Sequence, residues 1–153
     1  FNFYRFYMKK GILLILFFLP FLFFGCKSAQ GAKASFTDLN GEWNVVEINN
    51  KKVVPEVSTQ VMIFDVSAKR ISGHSGCNRF SGTIEYTDTH KNIIKFLQVA
   101  STRMACPDME GEMEMLEAIN KIVRFEALEK GKPVQSIALY GTDGSRLMVI
   151  GKR

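Results

Sequence analysis

The sequence is short of the residues that metal and nucleophilic chemistry require. It holds two histidines and three cysteines. Beyond Cys26, the soft ligands are His74, Cys77, His90 and Cys106, and their spacing matches no compact zinc pattern. No metal is expected. Gly73-His74-Ser75-Gly76-Cys77 approaches the G-x-S-x-G elbow of hydrolases, but Cys77 replaces the last glycine and no strand-to-helix elbow follows. The glycine-rich stretch at 72–76 lacks the Gly-Lys-Ser/Thr of a phosphate loop and precedes a strand, so it is a turn. No cofactor and no enzymatic activity are expected. A His74–Cys77 thiol–imidazole pair, oriented by Asp65 or Asp108, is the remaining catalytic alternative, and a disulfide at Cys77 would consume its thiol.

Basic charge is also scarce where a nucleic-acid binder needs it. The net charge is +5, yet residues 1–25 carry Arg5, Lys9 and Lys10 and no acid, which is +3 of that total. Residues 36–153 hold 15 basic and 15 acidic side chains. A balanced domain weakens a nucleic-acid reading, which wants a basic patch on the domain itself. Aromatics follow the same division, with eight of the thirteen Phe in residues 1–25.

That first segment has a character of its own. Met8-Lys9-Lys10 followed by an apolar stretch from Gly11 to Gly25 has the layout of a secretory signal. Pro20 interrupts it, and it is short of the roughly 20 apolar residues that span a bilayer. Residues 1–7 fit no targeting pattern, and Met8 is the expected natural start. Gly25-Cys26 resembles the bacterial lipoprotein signal, in which the cysteine becomes the lipidated N-terminus. Leu22 stands one position too early for the usual pattern. A plain secretory signal or an N-terminal anchor helix is the alternative. Residues 26–35 would then be the lipidated terminus and a flexible tether, with the domain at 36–153. Lys27, rather than Asp, follows Cys26, which fits an outer-membrane protein facing the periplasm.

Within 36–153, frequent turns and short apolar runs point to a mainly β domain. Expected strands include Glu42–Ile48, Val61–Asp65, Arg70–Gly73, Arg79–Tyr86, Ile93–Ala100, Gln135–Tyr140 and Arg146–Ile150. In the last pair, Ile137 with Leu139 and Leu147 with Val149 alternate, so each strand should bury one face and wet the other. One helix is expected over about 107–125, because Met109, Met113, Leu116, Ile119 and Val123 recur at helical spacing. Met115 would point outward. The expected architecture is α+β but mainly β: a small antiparallel, barrel-like curled sheet of about seven or eight strands with that helix over an end or face. Trp43, Phe64, Phe80, Phe96, Leu116, Ile119 and Leu147 are the core candidates.

With Cys26 lipidated, Cys77 and Cys106 are the remaining cysteines. In an oxidising envelope compartment they form a disulfide, or else stay as two buried thiols. The surrounding blocks are Ser75-Gly76-Cys77-Asn78-Arg79-Phe80-Ser81-Gly82 and Ala100-Ser101-Thr102-Arg103-Met104-Ala105-Cys106-Pro107, followed by a helix with Glu112 and Leu116. Together with Leu39-Asn40-Gly41-Glu42-Trp43 and Gly144-Ser145-Arg146-Leu147, they resemble the META domain family, which includes HslJ-like heat-shock lipoproteins. The resemblance implies a β-rich fold with one helix and a bacterial envelope lipoprotein linked to stress. It supplies no catalytic residue. Cys77, Asn78, Arg79, Arg103, Met104 and Cys106 match the family signature without an agreed role.

Three function classes follow. The leading expectation is a non-enzymatic stress-protection or interaction module, held to the membrane by its lipid and meeting an envelope protein. A carrier of a small lipophilic ligand and a thiol-dependent enzyme are the alternatives. Arg79 and Arg103 either form an anion-binding cleft or pair with Glu85 or Asp108.

Overall fold

Residues 33–54, 59–107 and 109–153 are described by a computed structural model. The leader, Cys26 and most of the tether lie outside the described residues. A short 3-10 turn at Phe36–Leu39 leads into β1 (Gly41–Ile48) and β2 (Lys51–Lys52). Next come β3 (Val61–Asp65), β4 (Arg70–His74), β5 (Arg79–Tyr86) and β6 (Ile94–Ser101). One helix, α1 (Glu110–Lys121), precedes β7 (Ile122–Ala127), β8 (Ser136–Gly141) and β9 (Arg146–Lys152). Asn49 and Asn50 both take positive φ (48° and 65°), the conformation a two-residue hairpin turn between β1 and β2 requires.

The strands form one antiparallel sheet in the order β6-β5-β4-β3-β1-β9-β8-β7, with β2 paired to β1. The sheet curls until its edges meet at an Ile93–Arg124 bridge, where the Phe125 N–H also donates to the Asn92 carbonyl at 3.0 Å. The helix packs against β6, β1 and β9. This is the expected mainly β, barrel-like curled sheet with one helix.

Inside, Trp43, Phe64, Met62, Ile71, Met115, Ile119, Phe125 and Leu139 are fully buried. Each such side chain contributes about 1.5–3 kcal/mol by leaving water. Leu116 and Leu147, expected in the core, are partly buried against it. The Trp43 indole N–H donates to the Leu39 carbonyl at 2.7 Å, which satisfies its polar atom and ties the 3-10 turn to β1.

Three expectations about faces are corrected. The helix ends at Lys121 rather than 125, and Ile122–Ala127 is β7. Ile122 already has extended dihedrals, and a register shift between Ile122 and Arg124 keeps both Ile122 and Phe125 buried. The buried helix stripe is Glu112, Met115, Ala118 and Ile119, whereas Met113 is 62% exposed. Met115 points inward because the helix is rotated to bury Glu112. In the C-terminal hairpin, Met148 and Ile150 enter the core instead of Leu147 and Val149. Its outer face is not fully wet either, since Ala138 and Val149 are buried. The register sets Glu47 beside Val149 and Glu126 beside Ala138. Arg146 approaches Glu47 to 2.7 Å, Arg124 pairs with Glu126, and the Arg124 guanidinium lies 4.2 Å above the Tyr140 ring. These long side chains shelter the two apolar ones.

A candidate functional site at the cysteine loop

The signature residues converge where β4 ends, β5 begins and α1 starts. Gly73, on β4, leaves room that any side chain would fill, because an added Cβ would fall 2.0 Å from the Val61 carbonyl oxygen and 2.8 Å from the Phe80 ring. Gly76 has φ +130°, so the chain reverses there at a conformation closed to other residues. The motif around His74 is therefore a tight turn. Its serine is fully buried, with the Ser75 N–H and hydroxyl both directed at the Asn78 carbonyl, at 2.8 and 3.0 Å.

Cys77 and Cys106 are joined in a disulfide, with Cα atoms 6.2 Å apart across 29 residues of sequence. The expected pairing is present, and neither sulfur is a free thiol. Asn78 next to it is fully buried and uses its whole side chain. Its Nδ2 donates to Glu112 Oε1 at 2.7 Å and to the Met104 carbonyl at 3.1 Å. Its Oδ1 accepts from the Thr102 hydroxyl and from the Met104 N–H, both at 2.7 Å. Two donors and two acceptor positions exhaust the amide.

Glu112 is the residue that sequence reasoning missed, having entered only as part of the resemblance. Its carboxylate is 5% exposed and accepts from the Asn78 N–H at 2.7 Å and the Cys77 N–H at 3.1 Å, besides Asn78 Nδ2. Burial pushes this carboxyl upward. The Asn78 backbone and side chain, a share of the single Ser75 hydroxyl proton and the Cys77 N–H outweigh that and hold it below 4.5. Gln60 completes the joint, its Nε2 donating to the Ser75 carbonyl at 3.1 Å and the Gly111 carbonyl at 2.8 Å. The available signal was one acid in an apolar stripe: Glu112 stands three and seven residues before Met115 and Ile119.

The other signature side chains stay outside this network. Arg79, Arg103 and Met104 are exposed, and the 79–102 contacts are made through the Arg79 backbone. Neither arginine forms an ion pair among the described residues; Glu85 lies opposite Lys95 instead, and Asp108 lies outside the described residues. His74 Nδ1 stands 3.4 Å from the Thr59 hydroxyl. Among the described residues no cluster of His, Cys, Asp and Glu could hold a metal ion.

Fold and joint together define a class: a curled antiparallel sheet to which the helix α1 is fastened by a disulfide and a buried Asn–Glu pair. The META domain family model matches residues 34–153, and the chain belongs to that family. Three solved structures share the fold at low identity. An NMR structure of a protein from Burkholderia xenovorans is 20% identical with a TM-score of 0.58, over 84% of this chain and 97% of its own. A second NMR structure is 17% identical with a TM-score of 0.54, over 78% and 95%. A crystal structure of a DUF4847 family protein from Bacteroides vulgatus is 12% identical with a TM-score of 0.52, over 75% and 94%. None of the curated proteins compared with the chain matches it.

Proposed function

We propose that this META family protein is an HslJ-like envelope lipoprotein, anchored through Cys26 in the outer membrane and facing the periplasm. Its domain acts there as a non-enzymatic stress-protection or interaction module that meets an envelope protein partner. One observation carries the reading. Cys77, Cys106, Asn78 and Glu112 spend their chemistry on one another, so the signature acts as a clamp rather than as a reactive site. A thiol mechanism would need Cys77 released from its bond. The interior is occupied by Trp43, Phe64, Phe125, Met62 and Met115, which supports a module over a carrier of a lipophilic ligand. The cysteine after a short apolar run supports the anchor, since two or three acyl chains hold a protein where one does not.

Metabolic labelling with an acyl probe tests the anchor. Wild-type protein should label and fractionate with membranes, and Cys26→Ala should lose the label. A labelled, membrane-bound Cys26→Ala protein would contradict the lipoprotein reading.

A further inference from the structure

The neutral domain has its charge divided between two ends. One end gathers the N-terminal turn, the β3–β4 turn, the β5–β6 and β7–β8 loops and the C-terminus. Their mutual contacts fix this grouping: Phe36 stacks on Tyr86 at 4.0 Å, Lys69 Nζ reaches the Tyr86 carbonyl at 3.3 Å, Lys132 pairs with Asp38, and Arg153 pairs with Glu42 at 3.3 Å. The disulfide and the start of α1 lie at the opposite end of β5, about 23 Å away at the usual strand rise.

Residues 33–42, 65–70, 85–95, 127–136 and 151–153 make up the first end, with nine basic and six acidic side chains. The rest of the domain has seven basic and nine acidic ones. Within the basic end, Lys91, Lys95 and Lys130 form no ion pair among the described residues. Two exposed apolar side chains stand beside them in sequence, Ile93 at 38% and Leu128 at 47% exposure. Lys95 stands opposite Glu85 on the neighbouring strand, and cations next to exposed aliphatic groups suit a surface that is anionic outside and apolar beneath. The tether enters the domain at this same end. From Cys26 to Lys33 it spans at most about 25 Å, so a lipid on Cys26 keeps this rim close to the bilayer.

We infer that the rim around the tether, with Lys91, Lys95, Lys130, Ile93 and Leu128, is a contact surface for anionic phospholipid headgroups. This rests on the Cys26 anchor. The lipid holds the domain at high effective concentration, and the rim sets its orientation, so the disulfide end faces away from the membrane.

Hydrogen exchange of the lipidated protein on vesicles tests this, using phosphatidylcholine alone and phosphatidylcholine with phosphatidylglycerol. On the anionic vesicles, amides of residues 86–95 and 127–136 should exchange more slowly, by about fivefold per engaged cation, and high salt should reverse the effect. Lys91→Glu with Lys130→Glu should remove the protection while core amides such as those of Phe64 and Ile71 stay slow, which shows the variant folded. Protein that stays on both kinds of vesicle with identical rim exchange overturns the rim assignment alone. Protein that does not stay on phosphatidylcholine vesicles overturns the anchor and the rim with it. Rim protection that appears only on adding an acidic protein, and never with phosphatidylglycerol, assigns the surface to that partner and also overturns the proposal.

Discussion

Glu112 shows how one carboxylate can hold two elements. It sits on α1, and each of its bonds goes to the loop that begins β5. Its carboxyl is depressed below 4.5 in the folded protein, so the stabilisation it supplies is complete above that value. As pH falls further, through the folded value, the group must take up a proton and the contribution is lost. Urea unfolding between pH 6 and pH 2 should show this decline, and Glu112→Gln should flatten that part of the profile. Arg79 offers the contrast. Its side chain is exposed and forms no ion pair among the described residues, so Arg79→Ala should change stability by no more than about 0.5 kcal/mol. A signature arginine whose removal leaves stability intact yet impairs stress tolerance would mark the partner-facing side of the motif. At this scale the sequence was half legible. Cysteines announce their own pairing, but the use of an amide or carboxylate depends on what lies across the fold from it. Asn78 and Glu112 are 34 residues apart.

At the scale of elements, the strands between turns were readable because Gly, Asn and Asp punctuate them. The helix end and the inner face of the last strand were not. Val123 continues the helical spacing of Ile119, yet Val and Phe also suit a strand, and pairing with β8 decides for β7. In β8 and β9 both faces are apolar, so alternation cannot choose the inner one. The register shift near Tyr140 chooses it, setting Met148 opposite Leu139 and Ile150 opposite Ile137. The disulfide is the covalent part of the helix joint. Closing a 29-residue separation is worth about 3.5 kcal/mol on the chain-entropy model. Reduction should lower the unfolding midpoint and speed exchange first in residues 102–121. The β8–β9 hairpin, separated from β5 in the sheet order by β4, β3 and β1, should be the last affected. Uniform loosening of the whole sheet would contradict this order.

At the scale of the whole molecule, the net charge sets one expectation about partners. Because residues 36–153 carry 15 charges of each sign, the domain should show no salt-sensitive affinity for DNA or RNA at physiological ionic strength. Steep, salt-dependent binding in a mobility-shift titration would contradict that. The central claim is that the family signature is an internal clamp joining α1 to the sheet. Asn78→Ala tests it most directly, because the substitution keeps the backbone N–H bonds to one Glu112 oxygen but removes the side-chain bond to the other, together with both bonds to the Met104 peptide groups. Urea denaturation at pH 7 should show a loss of about 3 kcal/mol or more relative to wild type. A variant within about 0.5 kcal/mol of wild type would mean that the signature is not what holds the fold together.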